Sequence, residues 1–587
     1  MEAPAKTRPD AIPQRQEPAR EAGLPGPFSQ SLFDFVFRED RFFLVLSVFI
    51  GIFAGLAVVC FRFAIEWSRI YLLGSGTPTT IRLILAPSLT GLVVAVLVIH
   101  FFPLARGSGV NQTKAALYIY NGFVPFRTAI GKFITAALAI GSGQSLGPED
   151  PSLQIGAGLA SALGRRLHLS RERMRLIAPV GAAAGLAAAF NAPISAVLFV
   201  IEEVIGRWSA GILGSVVLSA VSSVVVMRWF LGSESLFRIP PIGMVRPGEL
   251  IAYAVLGVAG GLASVVFASG ITTLRPRLRA LPRWTQYLQP AVAGLIIGLI
   301  GVLGAPQVMG AGYEVMDQAI HGQFTWQLLG ILAGLKIVAT ILSFVTGTPG
   351  GMFAPTLFIG AMLGACVGGV EHIFFPHLAG SAGTYALVGM GVLFAGFLRA
   401  PMTSVFMVLE VSGNYSIILP VMVANTFAYV ISRGFLPIPI FDVLTRQDGL
   451  ELPSMEEQRD ESILRVEDAM QPVALPILDD DEPLAQVLRH IGESSSNNLL
   501  VRLSPSGWSA ITRKKIQTMV NEGKGELSLR SVLPIRPLPW LHPDQPLHMA
   551  LRYVNESPVV PVVSRADLSK LEGVVSREDV LNRYKSG

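Results

Sequence analysis

Charge is scarce in this chain. Only 15% of its 587 residues are Asp, Glu, Lys or Arg, and 51% are apolar. A soluble domain carries about 25% charged residues. Charge is missing altogether from positions 42–61, 83–99, 176–201, 208–227, 251–274 and 337–370. Roughly 20 such residues span a bilayer, and six runs in one chain exclude a soluble protein with an occasional buried helix. Cysteine is nearly absent too. Cys60 and Cys366 stand in separate apolar segments, which excludes a disulfide framework and a cysteine metal site. The first 30 residues are rich in proline and charge and lack an apolar core, so they read as a disordered tail and not a signal peptide. The balance of +5 calls for no nucleic acid. The body contains no phosphate loop, metal-ligand cluster or nucleophile–base arrangement, which argues against an intramembrane enzyme and against a required cofactor.

What remains is a polytopic membrane protein. Residues 1–30 form the tail, 31–446 the membrane body, 447–464 a polar acidic linker and 465–587 a soluble tail with α/β periodicity. In that tail Pro558–Val563 and Gly573–Val575 read as short strands, followed by a helix from Arg577. Arginines concentrate in two loops, at Arg165, Arg166, Arg171, Arg173 and Arg175 and again at Arg275, Arg277, Arg279 and Arg283. By the positive-inside rule both loops face the cytoplasm. Thr346-Gly347-Thr348-Pro349-Gly350-Gly351 interrupts the run 337–370. Irregular backbone at that depth must be surrounded by protein or line a water-filled path, so short, tilted and half-spanning helices are expected.

The body repeats itself. GAAAGLAAAFNAPISAVLFVIE at Gly181–Glu202 matches GMGVLFAGFLRAPMTSVFMVLE at Gly389–Glu410, which pairs Pro193 with Pro401 and Glu202 with Glu410. Gly147-Pro148-Glu149-Asp150-Pro151 and Gly351-Met352-Phe353-Ala354-Pro355 share one grammar at nearly the same spacing. Two motif pairs at nearly one spacing read as a duplication, about 40–235 and 250–446, against the alternative of chance matches in an Ala/Gly/Val-rich composition. Spacing alone leaves open whether the repeats run parallel or inverted.

Helix starts offer free N–H groups and partial positive charge, which suits an anion. Starts after Gly109, Pro148 and Gly351 supply three, and Ser108 adds a hydroxyl donor. Glu149 is an acid deep in an apolar stretch, where acids are costly and usually functional. Desolvation disfavours its charged form and a helix start favours it, opposing influences that suit a group titrating in use. The plainer reading is a helix cap. Asp150 beside it is unexpected, since adjacent carboxylates repel and one must stay protonated or face water. Glu202 and Glu203 close an apolar helix, either as a solvated terminus or as a proton entry point. Lys132, the lone cation in its segment, either snorkels or adds positive potential to an anion path.

At these residues the chain resembles the CLC family of chloride channels and chloride/proton exchangers. The likeness covers about 40–445. It rests on GSG at 107–109, the GxExP motif at 147–151, GAAAGLAAAFNAP at 181–193, FVIEE at 199–203, GGMFAP at 350–355 and EVSGNYSIILP at 410–420. The resemblance implies an all-α polytopic membrane protein, built as an inverted repeat of tilted and broken helices, with a C-terminal α/β pair of CBS domains. It implies a homodimer with one pore per subunit, in the lipid bilayer of the plasma (cell inner) membrane, with both termini cytoplasmic. Chloride and protons are the implied substrates. Ser108, the backbone amides of Met352 and Phe353, and Phe441 match the chloride site, Phe441 standing where the family has a tyrosine. Glu149 matches the gating glutamate, Glu203 the internal proton glutamate of exchangers, and Lys132 a buried family lysine.

Four departures bear on affinity, selectivity and coupling. Pro148 replaces a cation before the gating glutamate and so removes positive charge from the outer vestibule. Asp150 replaces glycine, Asn111 replaces proline, and Phe441 offers no hydroxyl. Both glutamates that coupling needs are present. The expected function is chloride/proton antiport, with a passive CBS-regulated chloride channel as the alternative. A nucleotide sensor acting on the membrane body is a third reading. The GGMFAP and serine motifs follow the chloride-type and not the fluoride-type pattern. In the tail, Ser576 and Asp579 match the ribose-binding pattern of CBS domains, whereas the first module has Lys514-Lys515 where an acid is expected. The tail either binds an adenine nucleotide or packs as a structural dimer module.

Overall fold

The computed structural model describes residues 39–586, apart from 77, 207–209, 233–235, 238, 240–247, 376–379, 451, 453–463, 473–476, 492–497, 505–506, 534–537, 555–556, 558 and 566. The 1–30 tail, most of the 447–464 linker and Pro558 therefore lie outside the described residues. The chain divides into two compact units, Met1–Val197 with Ser209–Phe435, and Leu198–Trp208 with Leu436–Gly587.

The first unit is two sets of helices in the same order. The first set is α1 (Glu39–Leu73), α2 (Thr80–Val96), α3 (Gly109–Tyr118), α4 (Phe126–Gly141), α5 (Glu149–Arg166), α6 (Arg171–Phe190), α7 (Pro193–Phe199) and α8 (Ala210–Leu231). The second is α9 (Glu249–Arg279), α10 (Thr285–Val302), α11 (Tyr313–Ile320), α12 (Trp326–Val345), α13 (Phe353–Phe374), α14 (Ala382–Leu398), α15 (Pro401–Ser412) and α16 (Ile418–Phe435). Among the described residues nine helices are long and apolar enough to cross a membrane. Others, such as α3 and α11, are two or three turns long, as the broken runs predicted.

Large apolar side chains such as Phe53, Trp67, Trp229, Ile251 and Val266 are exposed, and the interior mixes Ala and Ser with buried Leu, Val, Ile and Phe. Without water to drive apolar burial, helices in lipid associate through close backbone approach. α5 packs on α6, and α13 on α14. A Cβ on Gly156 would stand 2.2 Å from the carbonyl oxygen of Gly181, and one on Gly360 would stand 2.2 Å from that of Gly389. The same close crossing is thus made once in each set.

An inverted two-fold relation joins the two sets. Gly147 and Gly351 form an isolated antiparallel bridge and exchange both N–H···O bonds, each 2.8 Å. A mutual exchange between equivalent residues is what a two-fold axis produces. Gln144 sits close to that axis. Its Nε2 donates to the carbonyls of Pro87 and Pro290, both at 3.2 Å, and these prolines occupy equivalent positions in α2 and α10. Ser343 donates to Gln144 Oε1 at 2.9 Å, so the buried amide is well satisfied. The long sequence repeat is a helix corner. α6 ends on left-handed Asn191 (φ 56°) and α14 on left-handed Arg399 (φ 61°). In each case Ala-Pro follows and the proline opens the next helix, where its missing N–H costs nothing.

In the second unit a π-helical turn covers Val200–Ile205, and α17 covers Ile440–Gln447. The remainder forms two small α/β cores. One joins β1 (Ile477–Asp479), α18 (Leu484–Ile491), β2 (Asn498–Arg502), β3 (Trp508–Thr512) and α19 (Arg513–Asn521). β1 pairs parallel with β2, and β2 antiparallel with β3, over Leu478, Leu484, Leu499, Ile511 and Ile516. The other joins α20 (His548–Val554), β4 (Val559–Val563), β5 (Leu571–Ser576) and α21 (Arg577–Ser586), over Val466, Leu541, Leu547, Val560 and Val575. β4, β5 and α21 lie at the two segments read as strands and at the helix read from Arg577, with β5 starting two residues earlier, at Leu571; β1, β2 and β3 were not read from the sequence.

Candidate functional site

The Gly147–Gly351 crossing sets the starts of α5 and α13 side by side. Only glycine fits there. A Cβ at 147 would lie 2.3 Å from Glu149 Oε2 and 2.9 Å from Ala354 Cβ, and one at 351 would lie 2.7 Å from Asp150 Cβ. Glu149 opens α5 and is fully buried. The first turn of α13 donates to it from Ala354 N–H, 3.3 Å from Oε2. The Tyr313 hydroxyl, at the first residue of α11, donates to Oε1. Among the described residues, Arg62 of α1 and Asp150 are the charged groups whose field reaches it.

Asp150 neither faces water nor turns away; it is 2% exposed. Its side chain reaches the start of α3. There Ser108 Oγ donates to Oδ1 at 2.9 Å, Gly109 N–H to Oδ2 at 2.9 Å, and Val110 N–H to Oδ1 at 3.1 Å. Ser108 is the N-cap of α3, its Oγ 3.2 Å from Val110 N. The repulsion expected between neighbouring carboxylates is relieved by aiming them at different helix starts.

Lys132 does not snorkel. It is fully buried, donates to the carbonyls of Ala105 (3.2 Å) and Gly107 (2.6 Å), and its Nζ is 3.9 Å from Asp150 Oδ2. Its repeat counterpart is Lys336, which donates to Val308 (2.9 Å) and Gly310 (2.7 Å). Each lysine ties down the loop before a short helix, and only Lys132 has a carboxylate nearby among these contacts.

Met352 is the N-cap of α13 and, like Phe353, is buried. The Phe353 ring meets Phe190 edge-on, with centroids 6.2 Å apart, and lies 5.7 Å from Phe394. A cavity of about 800 Å³ opens beside Pro148 and is lined by Arg62, Glu66, Arg69, Gln307, Tyr313 and Glu314. Pro148 supplies no cation, as the sequence showed, but Arg62 and Arg69 of α1 do. Arg69 is paired with Glu66 at 2.6 Å.

In the second unit Glu203 is 2% exposed and lies within the π-helical turn, so it is no solvated terminus; Glu202 is half-buried. Inserted π-turns often accompany functional sites. Phe441 lies in the first turn of α17, and its ring meets Phe199 edge-on with centroids 6.5 Å apart. In the tail Asp579 Oδ2 accepts from Ser576 N–H (2.9 Å) and Oγ (2.5 Å), so the two polar residues cap α21 together.

The structure thus gathers Ser108, Lys132, Glu149, Met352 and Phe353 in one unit, and it holds Glu203 and Phe441 in the other. Sequence reasoning missed Tyr313, Arg62, Lys336 and the seat of Asp150. Lys336 was legible, because it stands 204 residues after Lys132, as Gly351 does after Gly147. Glu410 was seen only as a repeat partner, yet its carboxylate receives the N–H groups of Ile194 and Ser195, both at 2.8 Å, at the start of α7.

Residues 90–433 match the family described as voltage gated chloride channel, and residues 529–586 match the CBS domain. A chloride channel protein described as ClcB-like, from Ralstonia nicotianae, is 32% identical, covering 70% of this chain and 99% of that protein. The H(+)/Cl(-) exchange transporter ClcA of Salmonella paratyphi B is 31% identical over 68% of this chain and 87% of its own length. Among solved structures, a slow cyanobacterial Cl-/H+ antiporter is 25% identical with a TM-score of 0.64, covering 69% of this chain and 97% of its own. A eukaryotic CLC transporter, at 21% identity and a TM-score of 0.61, shares the fold over 92% of this chain and 97% of its own. With the repeated helix starts, the glycine crossing and these matches, the chain belongs to the CLC family of membrane transport proteins and carries a CBS domain at its C-terminal end.

Proposed function

We propose that the protein exchanges chloride for protons across a membrane. The observation that carries this reading is the seat of Glu149, a buried carboxylate held on the first turn of α13 by Ala354 N–H and by the Tyr313 hydroxyl. A carboxylate on a helix start occupies a place an anion can take. Protonation removes the charge that holds it there and frees the place for chloride, so one group alternates between tethered anion and proton carrier. Ser108 and the amides of Met352 and Phe353 serve the ion, and Lys132 contributes positive potential. Glu203 acts as the second proton group and Phe441 as a wall of the path; these two roles rest on the family resemblance alone. The exchange transporters and the antiporter among the similar proteins support the reading by name.

The same reading makes the protein a homodimer in the cell membrane, with 31–446 as its transport domain and 465–587 as a CBS pair on the cytoplasmic side. The tail is a place for an adenine nucleotide or a structural dimer module. Purified protein in liposomes tests the proposal. An imposed chloride gradient is expected to drive proton movement, and Glu149→Ala is expected to abolish proton movement while sparing chloride flux. Proton pumping that persists in Glu149→Ala refutes the role given to Glu149. Chloride flux with no proton movement in the wild type selects the passive channel, which the channel-type relative and the changes at Pro148 and Asp150 favour.

A further inference from the structure

Glu149 is not the only carboxylate seated on a helix start. Asp150 receives three donors at the start of α3, from Ser108 Oγ, Gly109 N–H and Val110 N–H, with Lys132 3.9 Å away. α3 already has a cap of its own, since Ser108 Oγ accepts from Val110 N–H. Val110 N–H thus keeps an acceptor without Asp150, whereas Gly109 N–H is given to Asp150 Oδ2 and would be left open to another anion if that side chain withdrew. Lys132 is anchored by the carbonyls of Ala105 and Gly107, two contacts that do not involve Asp150. What surrounds the Asp150 carboxylate is a complete set of donors for a small monovalent anion: a hydroxyl, two backbone amides and a cation. The side chain fills that set from a neighbouring helix.

We infer that Asp150 is a second tethered anion, which occupies the Ser108 end of the path and must be displaced before chloride can bind there. The inference rests on the chloride reading given above. An intramolecular competitor acts at an effective concentration in the millimolar range or higher, so it weakens the apparent affinity for a free anion without touching the donors themselves. Glu149 and Asp150 then divide the path between them, Glu149 holding the α13 start and Asp150 the α3 start. Adjacent in sequence and at the first two positions of α5, they cannot move independently if that end of α5 shifts.

The test measures chloride binding by calorimetry on full-length detergent-purified protein and chloride efflux from liposomes. Wild type, Asp150→Asn and Asp150→Gly are compared. Asparagine keeps the size of the side chain and removes its charge; glycine removes the side chain. Both variants are expected to bind chloride about tenfold or more tightly and to pass it faster. Adding Ser108→Ala to Asp150→Asn is expected to erase the gain. If Asp150 is only a staple between α3 and α5, the variants lose thermal stability and keep wild-type chloride affinity, and that result overturns the inference. Should Asp150→Gly not fold, Asp150→Asn decides alone. Absence of chloride efflux from every protein, wild type included, overturns the transport reading and this inference together. Equal affinity with normal wild-type efflux overturns this inference only.

Discussion

Gly351→Ala puts the central crossing to a quantitative test. The new methyl group would stand 2.7 Å from Asp150 Cβ, 3.2 Å from Asp150 N and 3.2 Å from the Gly147 carbonyl oxygen. Carbon atoms pack best at about 3.5–4.0 Å, so the starts of α5 and α13 must separate by nearly an ångström. None of the three obstructing atoms is the far end of a flexible side chain. Overpacking of this kind costs about 1–3 kcal/mol. The separation also weakens the two 2.8 Å bonds exchanged by Gly147 and Gly351, each contributing about 0.5–1.5 kcal/mol. With both bonds lost the total is roughly 2–6 kcal/mol. Gly334→Ala is the matched control. It lies within α12, is exposed, and has no atom within 4 Å of its added methyl group. There alanine improves helix propensity by about 0.5–1 kcal/mol. Thermal denaturation in detergent, followed by the fraction that stays monodisperse, is expected to rank Gly334→Ala at or above wild type and Gly351→Ala several degrees below. Gly351→Ala is also expected to lose proton-coupled flux, because it displaces the seats of both carboxylates. Equal denaturation midpoints for Gly351→Ala and wild type would show that the crossing is not the tight contact described.

Two further outcomes follow from single contacts. Tyr313→Phe removes the hydroxyl that holds Glu149; a bond to a charged group contributes about 1.5–3 kcal/mol, so Glu149 should leave its seat about ten- to a hundredfold more often and chloride efflux from liposomes should rise, whereas unchanged efflux denies Tyr313 a part in the gate. Glu410→Ala strips the start of α7 of the acceptor for Ile194 and Ser195 N–H and should destabilise the protein by about 1–3 kcal/mol, read as a lower denaturation midpoint than that of Glu410→Gln, which keeps one acceptor oxygen.

Much of the fold was legible because its signals are local. Charge-free runs mark helices in lipid, since an unpaired charge there is costly. The Ala-Pro corners at 192–193 and 400–401 mark helix starts, because proline ends one helix and suits the beginning of another. Glu149 stood out as an acid where acids are expensive. Tyr313, Arg62 and the seat of Asp150 did not stand out. Each depends on partners from another helix, 40 or more residues away in sequence, and an exposed-looking tyrosine or an arginine at the end of an apolar run carries no mark of the carboxylate it will face. Lys336 was within reach through the repeat spacing. Its role in tying down a loop needed the carbonyls of Val308 and Gly310 to be brought to it.

By itself, the sequence determined that this is a duplicated, many-helix membrane protein with glycine-led helix starts and a small α/β tail. Hydrophobic runs, proline positions and repeat spacing each act over a few turns of chain. Only the tertiary structure decided that the repeats are inverted, since Gly147 and Gly351 had to meet antiparallel to exchange their hydrogen bonds. It alone decided where the paired acids go: Glu149 to the start of α13 and Asp150 to the start of α3. Two adjacent carboxylates look the same in a sequence, and what separates them is which helix start, folded in from elsewhere in the chain, each can reach.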